Sequence, residues 1–242
     1  MDGTSGMTQA KPLENQVILV TGASSGLGRV AALVLAEAGA TTVLIGRKIP
    51  RLENVYDEIL ASGGPQPALY PLDLAGASEA DYAEMAERIA AQLGRIDGVF
   101  HAAAELGALK PFADLEGQSW QRLLHVNLSA PAFLTQALLP YLKASKSGRI
   151  IFVDDASTGD GKAFWGAYGI AKAGLRALAK TLDAEMSNFG IRARMYAPGP
   201  IRTAIRLRAY PGERPDLLDF PESKGTEILA LFTEASTPPQ PT

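Results

Sequence analysis

The chain is predicted to fold as a single α/β domain, a parallel sheet with helices on both faces. Three observations predict it. Short apolar runs alternate with amphipathic segments along most of its 242 residues. The runs carry almost no polar residue on either face, as expected of strands covered on both sides. The first run passes through a glycine-rich turn directly into the first amphipathic segment.

The elements follow in order. QVILVT (16–21) is β-branched and bounded by glycine, the pattern of a buried strand. Residues 26–39 carry Leu27, Val30, Ala31, Val34, Leu35 and Ala38 at helical spacing and end at Gly39. TTVLIG (41–46) is the second strand, and a helix runs from about Arg51 to Ser62. ALYPLDL holds the third strand, 78–93 a helix and IDGVFHAA the fourth strand. One long helix covers roughly 117–143, GRIIFVD (148–154) is the fifth strand, 167–189 a helix and IRARMYA (191–197) the sixth strand. The segments before residue 15 and after residue 234 (ASTPPQPT) are polar or low in complexity, so 1–14 reads as a flexible extension, 15–234 as the domain and 235–242 as a disordered tail.

Composition narrows the function. Hydrophobic residues make up 47% and charged residues 20%, ordinary for a globular protein. A net charge of −3 gives no electrostatic case for nucleic acid or an anionic membrane as partner. No apolar run is long enough to span a bilayer. With no cysteine there is neither disulfide nor thiolate metal site, which fits a cytoplasmic location, and no His/Asp/Glu cluster has metal-ligand spacing.

TGASSGLG (21–28) joins the first strand to the first helix. Glycines at 22, 26 and 28 allow a tight turn and close approach to a pyrophosphate, which the helix N-terminus attracts. NAD sites commonly place an acid at the end of the second strand, whereas this chain has Gly46-Arg47-Lys48. A guanidinium suits a 2′-phosphate, so the reading is NADP(H) in preference to NAD(H). Farther along, Tyr168 and Lys172 stand one helical turn apart in Y-G-I-A-K. A nearby ammonium lowers a phenol's pKa, and a phenol tuned this way can pass a proton while a hydride moves to or from nicotinamide.

With these motifs the chain resembles the short-chain dehydrogenase/reductase family over almost its whole length. The resemblance implies a Rossmann-type sheet of order 3-2-1-4-5-6. It implies that Gly22, Ser24, Ser25, Gly26, Leu27 and Gly28 form the cofactor loop and that Asp73 and Leu74 meet adenine. Ala102 and Ala103 would border the cofactor, and Pro198, Gly199 and Thr203 would close over nicotinamide. Asn127 in V-N-L takes the place of the helix asparagine that organises a relay water, and Tyr168 and Lys172 take the catalytic places. The tracts GAYGIAKAGL and LTQALLP are similar to bacterial oxidoreductases of unassigned substrate. Residues 203–222, rich in Arg and Pro, correspond to the substrate lid, where Arg206 and Arg208 are read as solvated. Phe164 and Trp165 are candidates for the substrate pocket or for the core.

The chain departs from the family at three points. The family's N-N-A-G is His101-Ala102-Ala103-Ala104 here, with His101 read as a packed strand-end residue and His125 as a surface residue. E-I-L-A-L-F and a Pro-rich tail stand where the seventh strand is expected, so about six strands are predicted, with a homodimer through the two long helices. The third departure bears on chemistry. Thirteen residues before Tyr168, where the family keeps a serine, stands Asp155. An ionised carboxylate accepts hydrogen bonds but cannot donate one to a substrate carbonyl. Three readings stay open: Asp155 is held protonated by burial or by Asp154, it receives N–H donors of the substrate, or the site is weakened. The pteridine reductase branch is similar in carrying Asp at this spacing, in a V-D-A-like sequence against V-D-D-A here. The expected function is therefore NADP(H)-dependent reduction of a small carbonyl compound or a pterin-like C=N bond. The alternative is a dinucleotide-binding protein with little catalysis.

Overall fold

A computed structural model describes residues 11–159 and 161–234. Six parallel strands form one sheet in the order β3-β2-β1-β4-β5-β6. They are β1 Val17–Thr21, β2 Thr41–Gly46, β3 Ala68–Pro71, β4 Gly98–His101, β5 Arg149–Val153 and β6 Arg192–Tyr196. The helices are α1 Gly26–Glu37, α2 Ile49–Ala61, α3 Glu79–Leu93, α4 Gly117–Leu124, α5 Ala130–Ser145, α6 Gly166–Met186, α7 Ala204–Ala209 and α8 Gly225–Thr233.

Strand alternation divides the core in two. Val17 and Leu19 of β1 face α3, α5 and α6 together with Val43, Val99, Ile150 and Phe152. Ile18 and Val20 face α1, α2 and α8 together with Leu44, Phe100 and Ile151. Both faces of the central strands are therefore buried, which explains their uninterrupted apolar sequence. Asp97 fixes the start of β4 against β1: its fully buried carboxylate accepts from the Val17 N–H at 2.9 Å and from Arg95 at 2.7 and 2.8 Å. The residues after β6 supply α8, not a strand. Ile228 and Phe232 of α8 are buried, and Phe232 lies so near Gly98 that a Cβ there would meet it at 2.9 Å.

Two expectations change at the helices. The long helix predicted over 117–143 is interrupted by a π-helical turn at His125–Ser129 and then runs on to Ser145. The cause is local. Asn127 turns its side-chain amide onto the Leu123 carbonyl at 2.9 Å, and Pro131 has no N–H to offer the Asn127 carbonyl four residues back. His125, read as a surface residue, is half-buried in this turn, and its Nε2 has no hydrogen-bond partner among the described residues. At the N-terminal end, residues 11–14 of the expected extension form a turn that buries Leu13, whose N–H donates to the Ala38 carbonyl at 3.0 Å. Residues 1–10 and the tail 235–242 lie outside the described residues.

His101 is packed at the end of β4, as expected. Its ring stacks on Phe152 at 4.9 Å between centroids and its Nε2 meets Thr135 Oγ1 at 3.0 Å. Burial pushes its pKa down to about 3. Between that value and the unfolded value of about 6.5 the unfolded chain binds the extra proton, so stability is lost as pH falls through this window. Urea unfolding from pH 7 to pH 4 is expected to show this loss, at up to about 1.4 kcal/mol per pH unit. In His101→Asn that component should vanish; an unchanged slope would place the acid sensitivity elsewhere.

Candidate active site

One cleft of about 820 Å³ runs along the C-terminal ends of the strands. In open α/β sheets this is where ligands bind. Every residue predicted to hold the cofactor lines it, from the Gly22–Gly28 loop through Arg47, Asp73, Leu74, Ala102 and Ala103 to Tyr168, Lys172, Pro198, Gly199 and Thr203. Asp155 lines it too, and Asn127 lies behind it.

The loop is shaped by contact. Gly22 takes φ +67°, and a Cβ there would stand 2.9 Å from the Ala103 backbone. A Cβ on Gly28 would stand 2.2 Å from the Gly22 carbonyl oxygen. These approaches bring the start of α1 against β1 and β4 and aim its free N–H groups into the cleft. Ser25, at the N-cap, makes no side-chain cap bond, and no acid occupies the first turn of α1. The N-terminus of α3 differs. It is closed by a capping box in which Ser78 and Asp81 bond each other's backbone. The helix facing the cleft thus keeps its positive end open to an anion. Arg47, at the exposed end of β2, has no ion-pair or hydrogen-bond partner among the described residues. This cradle and its cationic rim fit a dinucleotide with a further phosphate.

The two acids at the end of β5 turn in different directions, as successive residues of an extended segment do. Asp154 pairs with Arg176 at 2.8 Å and accepts the Asp155 N–H at 2.8 Å. Asp155 faces Tyr168 and accepts its hydroxyl at 3.2 Å on Oδ2. On Oδ1, Asp155 accepts the Ser157 N–H at 3.0 Å and also the Ser157 hydroxyl. The Asp155 carboxylate is the acceptor in all three of its bonds. Ser157, two residues out of register with the family's serine, lines the cleft and bonds Asp155.

Tyr168 and Lys172 share the buried face of α6, but not in the way their spacing predicts. The Lys172 ammonium donates to the Val153 carbonyl at 2.7 Å and lies 5.6 Å from the centroid of the Tyr168 ring. Burial raises the Tyr168 pKa well above the ordinary phenol value, and the charge and hydrogen bond of Asp155 raise it further. The expectation that Lys172 leaves this phenol more acidic is not met in this arrangement: burial is the chief cause of the rise, and Asp155 adds to it. Burial also pushes Lys172 down to about 8, against the opposing pull of Asp154 and Asp155.

Asn127 is buried with both amide hydrogens committed, to the Glu105 carbonyl at 2.8 Å and the Leu123 carbonyl at 2.9 Å; its Oδ1 accepts the Glu105 N–H at 3.0 Å. The side chain pins the loop after β4 to the π turn. Trp165 packs with Leu106, Tyr168 and Tyr210 in a small cluster, Phe164 is exposed, and neither lines the cleft. Arg206 and Arg208, read as solvated, are tethered: Arg206 pairs with Glu213 at 2.6 Å, and Arg208 donates to the Gly107 carbonyl at 3.2 Å.

Sequence reasoning missed Arg176, Lys162 and Tyr210. Arg176 was legible, since Tyr168, Lys172 and Arg176 follow at four-residue spacing on one helix face and the last of them meets Asp154. Tyr210 has no such signal, because it reaches the site from α7 through tertiary folding.

The family model described as short chain dehydrogenase matches residues 16–213. The chain belongs to the short chain dehydrogenase family. It is 39% identical over 220 residues to the uncharacterized oxidoreductase YciK of Escherichia coli (strain K12), covering 91% of this chain and 85% of that protein. It is also similar to a short chain dehydrogenase from Salmonella enterica serovar Typhi, with TM-score 0.89, 38% identity and 93% of both chains covered. A short chain dehydrogenase of Escherichia coli CFT073, solved in complex with NADPH, gives TM-score 0.88 at 38% identity, again covering 93% of each chain. No helix among the described residues is long and apolar enough to cross a membrane.

Removing the Asp155 charge should lower the Tyr168 pKa. In Asp155→Asn, alkaline titration of tyrosinate absorbance is expected to show one tyrosine ionising earlier than in the native protein. If the two titrations superimpose, the coupling between these residues is absent.

Proposed function

We propose that this short chain dehydrogenase is an NADP(H)-dependent reductase of a small carbonyl compound or a pterin-like C=N bond. The observation that carries the reading is the meeting of the open α1 N-terminus, unpaired Arg47, Tyr168, Lys172 and Asp155 in one cleft. The Gly22–Gly28 loop and α1 would hold the pyrophosphate and Arg47 the 2′-phosphate. Asp73 and Leu74 would border adenine, and Pro198, Gly199 and Thr203 would close over nicotinamide. Bound NADPH would supply the hydride. Tyr168 would supply the proton, and its raised pKa keeps that proton in place at neutral pH. Lys172, held by Val153, would present a cation to the ribose. The Asp155 carboxylate, an acceptor in each of its three bonds, favours a substrate with N–H groups beside the double bond. Asn127 would position the loop that borders the cofactor.

One observation favours a second reading, a dinucleotide-binding protein with little catalysis: Tyr168 spends its hydroxyl hydrogen on Asp155. NADPH consumption against dihydropterins, quinones, ketones and aldehydes separates the two. The reductase reading predicts turnover, lowered roughly 10³-fold in Tyr168→Phe. Equal rates in native protein and Tyr168→Phe would end it. If the native protein is inert and Asp155→Ser gains ketone reduction, the binding reading stands instead.

Cofactor choice is tested separately. Loss of one charge-assisted contact in Arg47→Ala should raise the Kd for NADPH about tenfold and shrink the preference over NADH by the same factor. An unchanged Kd would remove Arg47 from the 2′-phosphate site. The reading also includes a cytoplasmic homodimer through 117–145 and α6, a face on which Ile170 is exposed. Light scattering that returns a monomer at micromolar concentration would contradict the dimer.

A further inference from the structure

The short helix α7 brings two cations to the cleft. Arg206 and Arg208 both line it, together with Tyr210 just past the helix end. Arg206 is held from several sides. Its backbone N–H donates to Oγ1 of Thr203, the N-cap of α7, at 3.3 Å. Its Nε and Nη2 donate to the Glu213 carboxylate at 2.7 and 2.6 Å. Its guanidinium lies 3.8 Å from the centroid of the Tyr210 ring. The side chain is only 17% exposed, little for an arginine on a lid. Glu213 occupies the Nε–Nη2 edge, so the edge left to Arg206 is Nη1–Nη2. Its Nη1 has no hydrogen-bond partner among the described residues.

Aromatic contacts place this guanidinium on the side of the cleft where Tyr168 stands. The Tyr168 and Trp165 rings lie 5.8 Å apart, and so do those of Trp165 and Tyr210, on which Arg206 rests. Arg206 is therefore within a small molecule's length of Tyr168. Arg208 is exposed and tied by one bond, from Nη2 to the Gly107 carbonyl at 3.2 Å. Gly107 follows Leu106, which packs in the same cluster as Trp165 and Tyr168.

The charges here are unevenly divided. Glu105 is answered by Arg122 at 3.0 Å and Glu213 by Arg206. Arg208 has no acidic partner among the described residues. Lys162 has none either, and its ammonium bonds the Tyr210 hydroxyl at 2.7 Å. At the other end, Asp155 sits against Tyr168 with no ion pair of its own among the described residues. The cleft is thus negative beside the reacting tyrosine and positive at α7. A carboxylate placed next to Asp155 would be repelled, and one placed next to α7 attracted.

We propose that the substrate carries a carboxylate, which the free edge of Arg206 receives with Arg208 as a second cation, while its carbonyl or C=N end meets Tyr168 and Asp155. The proposal rests on the reductase reading for the chemistry at Tyr168, though not for capture of the anion. The planar fork of a guanidinium matches the two oxygens of a carboxylate. Glu213 and Tyr210 fix the plane of Arg206 before any ligand arrives, so less side-chain entropy is lost on binding. Because Glu213 already neutralises Arg206, the surplus charge suits a singly charged carboxylate better than a phosphate dianion. Arg206 and Arg208 then determine specificity, and Asp155 sets the direction in which the substrate lies.

Capture is read without turnover in the full chain loaded with NADP+, titrated by calorimetry with 3- and 4-acetylbenzoate and with their methyl esters. With oxidised cofactor these ketones cannot be reduced. At least one acid is expected to bind about tenfold more tightly than its ester, the worth of one charge-assisted contact. The advantage should be lost in Arg206→Met and return in part in Arg206→Lys, which keeps the charge without the fork. It should also shrink in Arg208→Met, which removes an exposed side chain held by one backbone bond and so leaves the packing of α7 intact. Equal affinity for acid and ester overturns the proposal, as does an acid preference that persists unchanged in both Met variants. The same pairs with NADPH separate this site from the reductase reading. Acid-selective binding with no reduction of either compound upholds the arginine site and counts against the reductase. Reduction of acid and ester at equal kcat/KM upholds the reductase and overturns the arginine site.

Discussion

A Cβ on Gly28 would lie 2.2 Å from the Gly22 carbonyl oxygen, and one on Gly22 would lie 2.9 Å from Ala103. This bare packing of β1, α1 and the end of β4 is the constraint on which the cleft depends. It brings the start of α1 down onto the strand ends and leaves backbone where side chains would otherwise fill the space. The open N-terminus of α1 is useful only because it is held there. The same geometry sets Ala102 and Ala103 at the wall of the cleft and holds β4 so that the loop following it can be pinned by Asn127. A methyl group at either glycine would require the strand and helix to separate, with loss of contacts in both halves of the core.

At the other side of the cleft the governing interaction is the bond between Tyr168 and Asp155. Alternation at the end of β5 sends Asp154 to Arg176 and Asp155 to Tyr168, so adjacent carboxylates do different work. With Asp154 answered by a guanidinium, the negative charge that Tyr168 meets is chiefly that of Asp155. A tyrosine beside lysine is made acidic; a tyrosine beside carboxylate keeps its proton. Here burial is the larger influence, and Asp155 adds to it. This chain therefore sets a phenol and a carboxylate in contact at the end of β5.

Much of this was legible in the sequence. The strands follow from apolar runs buried on both faces, whereas their order came from the resemblance to the family. The residues expected to hold the cofactor were named largely from the family's motifs, and the structure gathers them along one cleft. What escaped depended on contacts between distant segments. The break at His125–Ser129 arises from the Asn127 amide competing for a helical carbonyl, which hydrophobic spacing does not record. The rise of the Tyr168 pKa escaped because sequence spacing records neither the burial of the ring nor the contact with Asp155. Tyr210 joins Lys162 across 48 residues, a separation at which no local pattern exists. Trp165 shows the same limit in reverse, since an aromatic beside a catalytic motif belongs here to a packing cluster.

The most direct measurement is deuteride transfer from NADPH labelled with deuterium at nicotinamide C4, with the product of an accepted dihydropterin, ketone or aldehyde examined by mass spectrometry. A reductase built on this cleft should move one deuterium from the cofactor to carbon of the product, and Tyr168→Phe should stop the transfer while still binding NADPH. Tight NADPH binding with the label retained on the cofactor against every compound would contradict a reductase and leave a dinucleotide-binding protein.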